Sequence, residues 1–408
     1  MTDPFDPDAP LPGPPQPWAS TDMPSRRDGP PFHMTDMIRV EPAMAARLLR
    51  KLTAPDRAAS RLAAAVRATA AAGRPIQVVG CGTSEHGALA TAEILRDACR
   101  SAGLPSALGA GGAPIAVQAF EASLELSQAG PGGLVIAISH EGSTWATNRM
   151  LESARASGAT TALVTVSAAS PGASLADIVV TTDELDRSWC HTVGYVSPIL
   201  AAAAVGAHLA GGPLGAGGIA AATRLLAHGL DAAQSAAADE MARNLAGMDR
   251  LIVLGSGTDR MAARELALKV EEGAHLPAAM RDVETMLHGH LAGVDERTGL
   301  VLILAERSNR GARTARALGA LRACREIGVR VGAILADVVA EEIDPALTPA
   351  GRIAAPDAPE LAAPVAALLA SATPLQLLTE RLAIARGVNP DPIRRDDPRY
   401  LAAAEAAG

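Results

Sequence analysis

The sequence predicts a tandem α/β protein with parallel sheets covered by helices on both faces. Three observations lead there. A strand, a tight glycine turn and a helix occur twice, at Val78–Arg96 and Val253–Glu272, and the segments VVGCGTS (78–84) and VLGSGTD (253–259) align without gaps. Each copy is followed by the same alternation of strands and helices, as a duplicated domain requires. The chain is 49% apolar but only 2% aromatic, so small aliphatic side chains must fill its cores, which suits helices packed closely on a Val/Ile-rich sheet. Its 408 residues suffice for two domains, each with its own core.

Taken in order, residues 1–33 are rich in Pro, Asp and Ser and read as a disordered tail without a signal peptide. Helical spacing runs from Met34 to Ala72, with one helix opening at Glu41-Pro42 and a second from Pro55. Ile76–Val79 is a strand ending in the turn Gly80–Ser84, and Ala88–Ala102 continues as a helix. Gly133–Ser139 is a strand ending in His140–Thr144, and Ala146–Ser157 is a helix. Strands follow at Thr161–Val166 and Asp177–Thr181, then helices over Ser197–Leu209 and Gly218–Ala246. The second half restarts with strand Leu251–Leu254, turn Gly255–Asp259 and helix Met261–Glu272. Strand Leu300–Leu304, helix Ala312–Ile327, strand Arg330–Leu335 and helix Thr373–Arg386 complete it, before a tail at 387–408. The expected domains are 34–215 and 216–386.

A net charge of −8, scattered lysines and arginines and few aromatics argue against nucleic acid as a partner. Cys81, Cys99, Cys190 and Cys324 show no CxxC spacing, so neither a disulfide framework nor a zinc site is expected. The longest apolar stretches, such as Val196–Ala210, contain Pro or Gly and are too short to span a bilayer. A cytoplasmic protein without membrane contact, metal or cofactor is expected.

In an open parallel sheet, ligands bind beyond the carboxyl ends of the strands, where helix N-termini offer free N–H groups to anions and hydroxyls. Three turns have that form: Gly80–Ser84, Ser139–Thr144 and Gly255–Asp259. Gly80-x-Gly82 is not a dinucleotide fingerprint, because Glu85 replaces the third glycine and no acidic residue ends the next strand at the usual distance. The glycines are compatible with close helix–strand packing alone. Three hydroxyl-bearing turns favour a site for a small polyhydroxylated ligand. Glu265, Lys269 and Glu272 lie at i, i+4 and i+7, on one face of the helix after the second glycine turn. By spacing alone they are either a solvated ion-pair stripe or a catalytic cluster.

Several segments together resemble the sugar isomerase (SIS) domain family, most of all the isomerase half of glutamine:fructose-6-phosphate amidotransferases and their stand-alone relatives. Gly80–Ser84 resembles the family's C-G-T-S turn, and Ile138–Thr147 (ISHEGSTWAT) its I-S-Q-S-G-E-T-A-D-T loop. Glu265–Glu272 (ELALKVEE) resembles E-G-A-L-K-L-K-E, and Met286–Ala292 (MLHGHLA) resembles L-K-H-G-P-L-A. The resemblance runs from Met34 to about Ala403. It implies two αβα sandwiches with five-stranded parallel sheets and a metal-free aldose–ketose isomerase or amino-sugar deaminase. It further implies Glu272 as the base moving a proton between C1 and C2, Lys269 as its neutralising partner, and His288 as the ring-opening group supplied by a neighbouring subunit of a homodimer. Cys81, Gly82, Thr83, Ser84, Ser139, His140, Glu141, Ser143, Thr144, Thr192, Glu265 and Arg399 are the implied substrate-binding positions.

Four departures matter. Glu141 stands where the family has a phosphate-contacting serine, and a carboxylate there repels a phosphate dianion. Leu287 replaces a lysine. The family's C-terminal lysine falls at Ala403, leaving Arg394, Arg395 or Arg399 to supply charge. No nucleophilic cysteine follows Met1, so a glutaminase half is not expected. An enzyme on a non-phosphorylated or amine-bearing sugar, a sugar–amine deglycase, and a non-catalytic sugar-sensing protein are the alternatives.

Overall fold

The computed structural model describes residues 5–15, 18, 26–54, 57–124 and 129–407. Its first sheet contains β1 (Ile76–Gly80), β2 (Pro114–Gln118), β3 (Leu134–Ile138), β4 (Thr160–Thr165) and β5 (Ile178–Thr181). They are parallel throughout, in the order β2-β1-β3-β4-β5. The second sheet contains β6 (Arg250–Gly255), β7 (Ala278–Asp282), β8 (Thr298–Leu304), β9 (Arg330–Leu335) and β10 (Gly351–Ala354). It is parallel too, in the order β10-β9-β8-β6-β7. Read from the other edge this is the first order again, so the duplication expected from the two glycine turns extends to all ten strands.

The central strands are continuous apolar runs buried on both faces, as helices on both sides demand. Three strands absent from the sequence reading, β2, β7 and β10, are sheet edges. Their sequences PIAVQ, AAMRD and GRIA carry apolar runs of at most three residues, and β7 is half-buried along its whole length.

The helix boundaries sharpen. Pro42 lies inside the helix His33–Thr53 rather than at its start. The stretch 218–246 is two helices, Ala216–His228 and Ala232–Leu245, separated at Gly229. The helix expected from Thr373 begins at Ala363, with Pro374 inside it. Helix Val193–Ala210 is apolar enough in composition to cross a membrane, yet 83% of it is buried. It packs on the helices Thr83–Ser101 and His33–Thr53 as a core element.

One apolar core runs without a break from the first half into the second, and smaller clusters line the outer face of each sheet. The two halves therefore do not have wholly separate cores. They meet where helix Thr83–Ser101 lies against helix Asp259–Ala274.

Parts of the expected N-terminal tail are tied to the body of the protein. Leu11 is buried, and its N–H donates to Glu184 at 3.0 Å. Arg47 joins the same carboxylate to the Asp8 carbonyl. Arg27 reaches Asp36 at 2.7 Å. Residues 1–4, 16, 17 and 19–25 lie outside the described residues. At the other end, the Asp391 carboxylate accepts the first N–H groups of helix His33–Thr53, from His33 at 2.8 Å and Met34 at 2.9 Å. This anchors the 387–397 segment over the first sheet.

Candidate active site

The strand order β2-β1-β3 places the topological switch point between β1 and β3. Two chain segments leave the carboxyl ends of those strands. The first is the turn after β1, where a Cβ at Gly80 would collide with the Ser84 carbonyl. It leads straight into helix Thr83–Ser101. The second is the loop 139–144, which leads into helix Trp145–Ala156. Both helices present their N-terminal turns to one cavity of about 360 Å³.

That cavity gathers Cys81, Gly82, Thr83, Ser84, Ser139, His140, Glu141, Ser143, Thr144 and Glu272, all predicted from sequence. It adds Trp189, His191, Ile393 and Arg395. The first two come from the segment after β5, the last two from the C-terminal segment. Arg395 lies over the Trp189 ring, 4.5 Å from its centroid. Among the described residues, no group of three or more His, Cys, Asp or Glu side chains is placed to hold a metal ion.

Behind the cavity lies a row of buried charges. Lys269 and Glu265 are both 0% exposed. The Lys269 ammonium donates to Glu272 Oε2 at 2.5 Å and lies 3.7 Å from Glu265 Oε1. Burial works against that ammonium, but the Glu272 and Glu265 carboxylates outweigh it and hold its pKa above the usual lysine range. For Glu272 the balance tips the other way. Burial raises its pKa, and the pull of Lys269 only partly offsets this. A carboxylate at a cavity wall whose proton affinity burial raises is suited to taking and returning a proton. Glu265 is held from the other side by His86 Nδ1 at 2.6 Å and by the Thr83 hydroxyl at 3.4 Å.

The two cavity histidines are neutral. Burial and the neighbouring His191 push His140 down to about 4. Burial and Lys269 push His191 down to about 3. Their rings lie 5.3 Å apart, and His140 Nε2 accepts the Asp186 N–H at 3.0 Å. His140 thus carries its hydrogen on Nδ1 and brings no positive charge to the cavity. Asp186, fully internal, accepts the N–H groups of Ser188, Thr192 and Gly194, which fixes the loop bearing Trp189 and His191.

Five predicted positions do not line the cavity: Glu265, expected to bind substrate, and Lys269 are fully buried behind it, and three more fall elsewhere. Thr192 does not line the cavity: it is 0% exposed and precedes helix Val193–Ala210, its N–H held by Asp186. Arg399 is 85% exposed and pairs with Asp397, because the chain has already turned outward into helix Pro398–Ala407. Arg395, four residues earlier, takes the place at the cavity. His288 is also outside the cavity of its own chain. Its ring is 69% exposed, 2.7 Å from Glu284, at the end of helix Val283–Leu287.

Around the cavity, the sequence offered Arg395 only as one of three possible sources of charge and gave no specific role to His86, Asp186, Trp189, His191 or Ile393. The Trp189–Thr192 cluster of Trp, Cys, His and Thr in an aromatic-poor chain was the one local signal available.

Comparison with known proteins agrees with this architecture. Residues 244–381 match the family described as SIS domain. No curated protein matches the chain. Among solved structures, the C-terminal domain of glucosamine-fructose-6-phosphate aminotransferase from Francisella tularensis is similar with a TM-score of 0.74 and 20% identity, covering 90% of this chain and 99% of that one. Tagatose-6-phosphate ketose/aldose isomerase from Escherichia coli gives 0.67 and 17%, covering 91% and 97%. Glucosamine-6-phosphate deaminase from Thermotoga maritima gives 0.57 and 15%, covering 88% and 97%. At these identities the likeness is one of fold. The chain has the architecture of two αβα SIS-like domains in tandem.

Proposed function

We propose that the chain is an enzyme that opens a sugar phosphate or amino-sugar phosphate and moves a proton between C1 and C2, with isomerisation or deamination as the net reaction. The observation that carries this is Glu272: a carboxylate of raised pKa at the wall of a hydroxyl-lined cavity, fixed by a fully buried lysine. In the forward step Glu272 takes the C–H proton, and the electron pair passes to the carbonyl oxygen as an enediolate. The same carboxyl returns the proton to the adjacent carbon as the proton on the C2 hydroxyl or amine passes to the C1 oxygen, leaving a C2 carbonyl, or a C2 imine that water hydrolyses with release of ammonia. Lys269 balances the carboxylate in the resting state and favours the enediolate once Glu272 is protonated. Hydroxyls of Ser84, Ser139, Ser143 and Thr144, with the N-terminal turns of their helices, hold the substrate's oxygens. Arg395 faces the substrate's anionic end.

His288 fits a role in a second copy of the chain. Its exposure on its own subunit leaves the ring available to a neighbour, so the reading includes a homodimer in which His288 completes the partner's site.

The reading is tested with purified protein in deuterated water, with fructose 6-phosphate and glucosamine 6-phosphate as substrates, following deuterium incorporation by NMR and ammonia release. Wild type incorporates deuterium and Glu272→Gln does not. Identical behaviour of the two proteins ends the proposal.

A second reading, an amine-bearing sugar in place of a phosphorylated one, rests on the cavity's charge. Glu141 and Glu272 line it together with Arg395, and both imidazoles are neutral. Thermal shift with glucosamine and glucosamine 6-phosphate separates the two. A larger shift with the unphosphorylated amine selects the second reading.

A further inference from the structure

His86 enters from the first half of the chain, at the end of the first turn of helix Thr83–Ser101. Every other member of the charge row, Glu265, Lys269 and Glu272, stands on helix Asp259–Ala274 of the second half. The contacts run in sequence: His86 Nδ1 to Glu265 at 2.6 Å, Glu265 to Lys269 at 3.7 Å, Lys269 to Glu272 at 2.5 Å. The His86 side chain is 10% exposed, Glu265 1% and Lys269 0%. Glu272, 23% exposed, is the end of the row that reaches the cavity.

We infer that His86 is a positioning residue which, through Glu265 and Lys269, fixes the orientation and proton affinity of the Glu272 carboxylate. This deepens the reading of Glu272 as base and rests on it only for the catalytic meaning.

The physical argument is charge balance in a place water does not screen. Lys269 lies between two carboxylates. Whatever share of its charge Glu265 takes is withdrawn from Glu272. A hydrogen-bond donor on the far side of Glu265 relieves that competition, so Lys269 stays turned toward Glu272. The distances agree with this: Lys269 is closer to Glu272 than to Glu265. Other charged or titratable groups face the row from every element packed on it. Cys190 and His191 come from the loop after β5, Tyr195 from helix Val193–Ala210 and Arg395 from the C-terminal segment. Burial keeps the Cys190 thiol and the Tyr195 phenol protonated, and His191 is neutral. None of these three brings a positive charge to the row.

The arrangement also ties the base to the relation between the two halves. Helix Thr83–Ser101 begins at the glycine turn that lines the cavity and carries His86 to the seam within one turn. A shift of that helix against Asp259–Ala274 alters the His86–Glu265 contact and thereby the base.

The test reads Glu272 directly. Protein labelled with ¹³C at glutamate Cδ is titrated by NMR, and the Glu272 signal is identified by its loss in Glu272→Gln. His86→Phe removes the donor. His86→Asn keeps a neutral N–H near the Nδ1 position and covers the case in which the Phe variant does not fold, judged by circular dichroism. Loss of the His86 contribution moves the Glu272 midpoint upward by about one pH unit in His86→Phe and by less in His86→Asn. An unmoved midpoint in a folded variant overturns the inference, whichever substrate the enzyme uses. In deuterium exchange with fructose 6-phosphate, the acid limb of kcat moves with that midpoint while KM is unchanged. Absence of exchange in wild type counts against the proposed function and leaves the titration result standing.

Discussion

The two glycine turns occupy the same place in two sheets of the same order, and they have opposite fates. After β1 the turn is open. A Cβ at Gly82 would meet nothing within 4 Å, and the Ser84, Ser139 and His140 side chains surround the cavity. After β6 the turn is filled. A Cβ at Gly257 would collide with the Arg313 guanidinium, which pairs with Glu306. Aligning the repeats, Ser84 corresponds to Asp259, Ser139 to Ala305 and His140 to Glu306. Those replacements consume the N–H groups that a ligand would use. Asp259 accepts from Ala305 at 2.9 Å and Glu306 at 3.1 Å, and Glu306 accepts from Thr258 at 2.7 Å. A hydroxyl at such a turn leaves backbone donors available, whereas a carboxylate claims them. The fold supplies two possible sites, and side-chain chemistry closes one.

The largest expected effect breaks the comparison at the base. Glu272→Gln lowers kcat for proton exchange about 10³-fold, while Arg313→Ala in the filled turn stays within about twofold of wild type. Exchange by NMR decides, and a comparable loss in both variants removes the distinction between the turns.

Next in size is stability. Glu306→Ala leaves the Arg313 guanidinium partly buried without its carboxylate and costs about 3 kcal/mol. Denaturant unfolding measures this, with KM for the substrate unchanged.

The two turns also answer pH with opposite sign. His140 is depressed to about 4, so its contribution is full above about 6.5 and is lost as pH falls through 4. Asp259 is raised by burial to about 7, so its contribution is full below 3.8 and is lost as pH rises through 7. Between pH 4 and 6.5, His140→Gln therefore lowers the slope of stability against pH by about 1.4 kcal/mol per unit, and Asp259→Asn raises it by about the same. Unfolding curves at four pH values test both signs.

The smallest effect concerns the open turn's charge. Arg395→Ala raises KM for a phosphorylated substrate about tenfold and leaves kcat nearly unchanged. No change would move the anionic end of the substrate away from Arg395.

Much of this was legible in the sequence because it is local. Gly80–Ser84 and 139–144 announce strand–turn–helix junctions through glycine and hydroxyl residues, and Lys269 and Glu272 share a helix face by spacing alone. What escaped has a common cause. Arg395 and Ile393 reach the cavity from a segment with no periodicity to fix its register, so Arg399 was an equal candidate until the chain's outward turn at Pro398 was seen. Thr192 has the polarity of a lining residue but lies beneath the loop that Asp186 organises. The closure of the second turn was invisible because Arg313 belongs to a helix beyond β8, and only the folded sheet brings it over Gly257. Edge strands β2, β7 and β10 were missed because half-buried edge strands need only short apolar runs.

The anchor at Asp391 has a kinetic side. Its bonds to His33 and Met34 join residues 358 and 357 positions apart. Each sheet closes through contacts of far shorter separation, and loop-closure entropy favours those first. The wall bearing Ile393 and Arg395 is therefore among the last parts of the molecule to form. During refolding, helical signal is expected to return before this cavity wall does, because the wall waits on contacts that close nearly the whole chain.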